Sequence, residues 1–292
     1  MKILISGASG YLGSHLAKEL SKEHQVFALL RKASSRKRLE GLSVKTVNYD
    51  TEHDLELIFV EYTPDIIINT AALYGRKDES LSALVEANIA FPARLLSLAT
   101  KYNTKAFIHT GTSLPSEVSL YAQTKNSFVS LACLSKELAH KRTNGEVLKF
   151  IDVALEHFYG PDDDLSKFTS FVIDACIKGN KLELTEGLQK RDFIYIEDVV
   201  SAYKILISNI HKLKDIETIS VGSGFAPSVQ EFVKLVHSCC HSTSSLDFGA
   251  VKMRDGELMY SCANTLRLKQ LGWENHFSLE QGIHATLKRE QS

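Results

Sequence analysis

The chain has almost no net charge, no paired cysteines and no long apolar run, and each absence removes a class of function. With 34 Lys and Arg against 35 Asp and Glu, the formal charge is −1. No overall field draws such a chain to nucleic acid or to an anionic membrane. Its five cysteines, Cys133, Cys176, Cys239, Cys240 and Cys262, are scattered without C-x-x-C spacing. They read as reduced thiols of the cytosol, with no disulfide framework and no metal site. No apolar stretch approaches the ~18 residues of a membrane span, so no transmembrane helix is expected. The chain enters a strand at once, which leaves no room for a signal peptide. Internal repeats and low-complexity linkers are missing as well. The expectation is a cytoplasmic protein that meets neither nucleic acid nor membrane.

What is present is an ordinary globular composition, 44% hydrophobic and 24% charged over 292 residues. That length buries a core as one large domain or as one domain with an appendage. Residues 1–13 read MKILISGASGYLG, a short apolar run broken by Gly7, Gly10 and Gly13 before an amphipathic stretch opens at Tyr11. Strand, tight glycine turn and helix form the arrangement in which a helix N-terminus meets a phosphate. Gly7 allows the turn, Gly10 lets the backbone approach a pyrophosphate, and Gly13 lets the helix pack closely on the strand. The spacing is G-x-x-G-x-x-G rather than the commoner G-x-G-x-x-G, and an ordinary βα turn is the plainer alternative.

Short apolar runs then alternate with helical patterns. Strands are expected at Lys2–Ser6, Val26–Leu30, Val44–Asn48, Ile66–Asn69, Ala106–Thr110 and Val147–Val153. Helices are expected at Tyr11–Lys22, Glu52–Glu61, Ser80–Lys101 and Ser119–Lys141, with a kink or boundary near Asn88 to Pro92. Such alternation implies a doubly wound parallel sheet covered on both faces. Beyond residue 154 the pattern breaks: Gly160-Pro161 and Asp162–Asp164 mark a loop, and helices are expected at Leu165–Ile177, Glu197–Ser208 and Val229–Cys240.

The second strand ends in Leu30-Arg31, where NAD-binding folds place an acidic residue for the ribose 2′-hydroxyl. Arg31, Lys32, Arg36, Lys37 and Arg38 form an unopposed cationic cluster that suits a 2′-phosphate, so NADPH is favoured over NADH. A solvated basic loop is the alternative. Asp50 is placed either to accept from an adenine amino group or to cap the following helix. Asn69-Thr70-Ala71-Ala72 ends the fourth strand in small residues that would let a cofactor lie across the strand ends.

The fifth strand runs into Thr110-Gly111-Thr112-Ser113, and nine residues after Thr112 comes Tyr121-Ala-Gln-Thr-Lys125. On a helix Lys125 shares a face with Tyr121. A phenol with a pKa near ~10 becomes an acid–base group when a nearby cation favours its ionised form. Thr112 would bind a carbonyl oxygen beside it.

These segments give the sequence a specific resemblance. GASGYLG at 7–13, PDIIINTAA at 64–72, NIAFPARLL at 88–96, FIHTGTS at 107–113 and YAQTK at 121–125 resemble the extended short-chain dehydrogenase/reductase family, in its sugar-nucleotide branch. EHFYGPDD at 156–163, RDFIYIEDVVSAY at 191–203, VGSG at 221–224, RDGELMYSCAN at 254–264 and LGW at 271–273 continue it in the family's order over nearly the whole chain.

The resemblance implies a Rossmann-type NADP-binding domain from residues 1–154 with returning segments near 185–222. It also implies a small C-terminal α+β lobe, largely residues 155–292, for the substrate. It makes Tyr121 the catalytic acid, Lys125 its partner and Thr112 the carbonyl-side donor. Gly7, Ser9, Gly10, Tyr11, Leu12, Gly13, Arg31, Asp50, Thr51, Ala71, Ala72, Asn88 and Leu155 would hold the cofactor with Tyr121 and Lys125. Arg191 and Arg254 would hold a nucleotide diphosphate by bidentate contact, and Tyr74, Thr112, Ser113, His157, Lys167 and Phe168 would line the sugar-nucleotide site. The implied activity is NADPH-dependent reduction of the C4 ketone of a nucleotide-activated 4-keto-deoxyhexose in deoxysugar and O-antigen biosynthesis. A homodimer through the helices at 80–101 and 119–141 is implied too.

Three departures stand out. Ala154 replaces a usual arginine, the Thr112–Tyr121 interval is short, and Ser113-Leu114 stand where 4,6-dehydratases carry Asp-Glu. An NAD-dependent 4-epimerase and a catalytically silent dinucleotide-binding member are the rival readings.

Overall fold

Each strand–helix–strand crossover returns the chain in the same direction, so alternating segments build a parallel sheet. The computed structural model describes residues 1–140 and 148–290. The chain divides into two compact units, Met1–Ala154 with Tyr203–Ile219, and Leu155–Ala202 with Ser220–Ser292. The elements are β1 (Lys2–Ser6), α1 (Tyr11–Leu20), β2 (Gln25–Arg31), β3 (Lys45–Tyr49), α2 (Glu52–Tyr62), β4 (Ile66–Asn69), α3 (Leu81–Val85), α4 (Phe91–Lys101), β5 (Ala106–Thr110), α5 (Leu120–His140) and β6 (Lys149–Leu155). There follow β7 (His157–Tyr159), α6 (Phe168–Lys178), β8 (Leu182–Leu184), β9 (Phe193–Tyr195), α7 (Ile196–Ser208), β10 (Ile216–Val221), α8 (Val229–Cys239), β11 (Leu246–Phe248), α9 (Leu266–Gln270) and α10 (Leu279–Glu290).

The seven-stranded sheet has the order β10-β6-β5-β4-β1-β2-β3, and its pairs from β3 across to β6 are parallel. Alternate residues point to one face. Leu4, Phe27, Leu29, Ile67, Phe107 and Phe150 meet Leu55, Ile58 and Phe59 of α2, Leu95 and Ala99 of α4, and Phe128 and Ala132 of α5. The ends differ from the sequence expectation by a few residues. Val147 and Lys141, expected at the ends of β6 and α5, lie outside the described residues. The helix expected from Leu165 begins at Phe168, because Asp164 holds a turn by accepting from Ser166 N and Lys167 N. The segment returning to the first unit is Tyr203–Ile219, shorter than residues 185–222, since β8 and β9 are paired with β11 and β7.

Around Pro92 the expected kink takes the form of a wide π turn at Glu86–Ala90 between α3 and α4. Proline has no N–H to return to the preceding turn, and a widened turn accommodates it. By length and composition alone Leu81–Lys101 qualifies as a membrane span, against the sequence expectation. Its Leu95, Leu96 and Ala99 lie in the core against the sheet, so α4 packs there, while Leu81 and Val85 are exposed.

In the second unit β7 pairs with β9 and β8 with β11. Phe193 stacks on Phe232 at 4.2 Å between centroids, and Asp198 accepts from the N–H groups of His276 and Phe277. Trp273 is buried, and its Nε1 donates to Ser201 Oγ at 2.8 Å.

Phe128 joins α5 to the sheet between Phe107, His109 and Phe150. Phe128→Ala should therefore lower the unfolding free energy by about 3–5 kcal/mol. Urea unfolding measures it, and a loss below ~1 kcal/mol would mean that α5 is anchored elsewhere.

Candidate active site

The β1–α1 turn is built on close approaches. Gly7 has φ +71°, and a Cβ there would lie 2.6 Å from Ala71 N. A Cβ at Gly13 would strike Gly7 O, so α1 sits directly against the turn. Gly10 is the exposed N-cap of α1, with no side-chain cap and no acidic residue in the first turn. By contrast α2 and α8 carry capping boxes, Thr51 with Asp54 and Ser228 with Glu231. The open N–H groups and positive end of α1 fit a pyrophosphate, and a Cβ at Gly10 would come within 3.1 Å of Gly7 O. Ser9 is half-buried in the turn, while Tyr11 and Leu12 are buried at the start of the helix.

Arg31 is exposed at the end of β2. The basic cluster is less unopposed than its sequence suggests: Lys32 Nζ lies 3.8 Å from Asp50 Oδ2, and Arg36 donates to Asn48 Oδ1 at 3.1 Å. Arg38 sits 5.7 Å over the Tyr11 ring. Thr51, not Asp50, caps α2, its hydroxyl accepting from Asp54 N. Ala71 and Ala72 are half-buried beyond β4. Asn88 is corrected more sharply. Its amide donates to Leu73 O and Thr124 Oγ1 and accepts from Leu73 N, each at 2.9 Å. It is a strut between the loop after β4 and α5, with both amide protons engaged and one lone pair of Oδ1 left over.

At the end of β5, Thr112 Oγ1 accepts from Leu114 N at 3.2 Å and keeps its own proton free to donate. Ser113 Oγ is buried without a partner among the described residues. Asn126 Nδ2 ties this loop to α5 by donating to Leu114 O and Ser116 Oγ. Tyr121 is half-buried and stacks on Tyr74 at 4.8 Å, and Arg76 caps the Tyr74 ring at 4.9 Å. Burial pushes the Tyr121 phenol well above its ordinary value, and Arg76 is the cation that opposes the rise. The expected lowering by Lys125 is thus absent here. Lys125 is itself 1% exposed. Burial brings its ammonium down to about 8 against the opposing pull of Asp152. Sequence reading missed Arg76 and Asp152. Arg76 falls in an aperiodic loop, whereas Asp152 did leave a signal as a charge inside the apolar run KFIDVAL of β6.

In the second unit Arg191 is buried and donates to Glu257 Oε1 at 2.6 Å and to Lys190 O at 2.8 Å. Arg254 is exposed in a turn that the Glu257 N–H closes onto its carbonyl. Glu156, buried and accepting from Ser261 Oγ, lies 3.7 Å from His157 Nδ1. Arg191, Glu257 and Glu156 therefore form one charged group, with His157 beside Glu156, that sequence spacing did not reveal. Lys167 pairs with Asp163 at 2.8 Å and lies 3.8 Å over the Phe158 ring. Phe168 opens α6 at 39% exposure, and Leu155 is buried at the end of β6.

The open helix N-terminus, the strand-end Thr112 and the Tyr121–Lys125 pair on one helix agree with what family comparison finds. The chain belongs to the NAD dependent epimerase/dehydratase family, whose profile matches residues 3–222, and is an NAD(P)-dependent oxidoreductase of the extended short-chain type. More particularly, it is 32% identical to the CDP-abequose synthase of Salmonella typhimurium over 98% of this chain and 97% of that protein. The CDP-abequose synthase of Salmonella muenchen is also 32% identical, over 99% and 98%. Among solved structures, the UDP-glucose 4-epimerase of Thermus thermophilus in complex with NAD superposes with a TM-score of 0.82 at 20% identity, covering 100% of this chain and 99% of that one.

If Asn88 is a strut, Asn88→Ala should destabilise the fold by about 2–3 kcal/mol, because buried partners are left unpaired. Nucleotide affinity, corrected for the folded fraction, should hold. Unchanged thermal unfolding together with weaker nucleotide binding would make Asn88 a cofactor ligand instead.

Proposed function

We propose that the chain reduces the C4 ketone of a nucleotide-activated 4-keto-deoxyhexose, a CDP-4-keto-3,6-dideoxyhexose or a close relative, with NADPH. The observation that carries this reading is near full-length similarity to CDP-abequose synthases, and the Thr112, Tyr121 and Lys125 set of its sequence supports it. NADPH, when bound, supplies the hydride. The α1 N-terminus would hold its pyrophosphate, and Arg31 its 2′-phosphate. Reduction leaves charge on the ketone oxygen. Tyr121 then delivers a proton to that oxygen, and the free Thr112 hydroxyl proton donates a second hydrogen bond to it. Lys125 would orient the nicotinamide ribose.

Arg191 and Arg254 would bind the substrate diphosphate. For Arg191 this means exchanging Glu257 for phosphate oxygens, so Glu257 becomes a competitor that a weakly charged ligand cannot displace. Exposed Leu131 and Leu134 on α5 support a second copy of the chain as partner.

An NAD-dependent 4-epimerase is the second reading, supported by the match to the NAD dependent epimerase/dehydratase family. The Arg31 cluster separates the two. Arg31→Asp should weaken NADPH about tenfold to a hundredfold and spare NADH, since it removes a charge-assisted contact of ~1.5–3 kcal/mol. Equal loss for both cofactors in a binding titration would favour the epimerase.

The reductase itself is tested by Tyr121→Phe, which removes only a hydroxyl. NADPH binding should persist, and single-turnover NADPH oxidation by a CDP-4-keto-sugar should slow by roughly 10²–10⁴. A near wild-type rate would sink the mechanism.

A further inference from the structure

One register row crosses the sheet beneath α5. Ser6 pairs with Asn69, Asn69 with His109, and His109 with Asp152, on β1, β4, β5 and β6. Registered residues of parallel strands share a face, here the face on which Phe128 of α5 packs against His109 at 4.7 Å. Lys125 precedes Phe128 by one turn on the same helix side. All four residues of the row are at most 6% exposed. Four polar side chains in a single row of an otherwise apolar face are costly unless they serve one another.

The hydrogen bonds fix the row's protons. Ser6 Oγ donates to Asn69 Oδ1 at 2.5 Å, which turns the Asn69 amide nitrogen to His109 Nδ1 at 3.0 Å. His109 Nδ1 is therefore the acceptor, and the imidazole carries its proton on Nε2. Burial and the neighbouring Lys125 charge hold this histidine well below its ordinary value, so it stays neutral. The row thus contains one anion, Asp152. Its Oδ1 is buried without a hydrogen-bond partner among the described residues. Its carboxylate also occupies the space a side chain at residue 111 would need: a Cβ on Gly111 would strike Oδ1. Gly111 immediately precedes Thr112, so the carboxylate lies under the strand end that carries the chemistry.

We propose that Asp152 is a positioning residue, the buried counter-charge that holds the Lys125 ammonium charged and in place beneath Tyr121. The proposal rests on the reading of Lys125 given above, but its central claim concerns the pair alone. The other titratable groups facing the pair are His109 from β5, Cys133 from α5 and Tyr203 from α7. None supplies a second anion at neutral pH: His109 is neutral, and burial raises both the thiol and the phenol. Burial lifts Asp152 to about 6, with Lys125 opposing, while burial lowers Lys125 to about 8. Both groups are charged between those values. An opposite charge favours the charged form, so removing the anion must lower the Lys125 midpoint further.

The test is Asp152→Asn, which keeps shape and removes charge. With ¹³Cε-labelled lysine, and Lys125→Met to assign the signal, NMR titration of the full chain reads the Lys125 midpoint directly. It should fall by roughly one unit or more, and the alkaline limb of kcat/KM should move to lower pH by the same amount. Gly111→Ala, which displaces the carboxylate without deleting it, should shift the midpoint the same way. It should add nothing to the midpoint shift in an Asp152→Asn background, and it stands in if the asparagine variant does not fold. An unmoved Lys125 midpoint in either folded variant overturns the proposal. A shifted midpoint with an unmoved alkaline limb overturns the catalytic part of it. Failure of Tyr121→Phe to slow turnover would instead overturn the reductase reading, without touching the pair.

Discussion

A buried ammonium group is unfavourable by several kcal/mol unless an opposite charge faces it, and the first unit is arranged around that constraint. Lys125 has almost no solvent contact, so its charge must be answered from within. The answer comes from Asp152, two strand residues beyond Phe150, which packs in the core beneath α5. Gly111 is without a side chain because the carboxylate takes that space. His109 is kept neutral by burial and the Lys125 charge, and its tautomer is set by the amide of Asn69, whose own orientation Ser6 sets. One electrostatic requirement thereby links four strands and the helix on which Tyr121 stands.

The parts of this arrangement that rest on local pattern were legible in the sequence. The apolar run of β1, the turn at Gly7 and the helical start at Tyr11 are neighbours along the chain, and their periodicity and glycine spacing report them directly. The same holds for the Tyr121–Lys125 pair, four residues apart on one helix. What was not legible depends on residues far apart in sequence meeting at one place. Asn88 read as a cofactor residue, yet both its amide protons and one lone pair are taken by Leu73 and Thr124, contacts that no spacing rule anticipates. The polar row draws one residue from each of four strands. Thr51 in place of Asp50 as the cap of α2 is a smaller miss, decided by a one-residue shift in where the strand ends.

The second unit shows the same division. Its arginine at 191 stood out as a phosphate ligand by resemblance, while the carboxylate that holds it, Glu257, is 66 residues away. A guanidinium tied to a carboxylate is already oriented, so its ligand meets a fixed fork rather than a mobile side chain. The arrangement also sets a threshold. In the proposed function an anion must outcompete Glu257 to reach Arg191, which favours a diphosphate over a singly charged group.

The one tryptophan of the chain, Trp273, is enclosed in the second unit with its indole N–H on Ser201. Light absorbed at the red edge of the near-ultraviolet band is taken up by that ring alone, so emission colour reports a single address. Loss of the Ser201 bond and entry of water would redden it, whatever the state of the seven-stranded sheet. Far-ultraviolet circular dichroism sums over every helix in both units. Two optical signals from one unlabelled sample therefore separate the melting of the two halves, and a gap between their midpoints measures how independently the halves hold together.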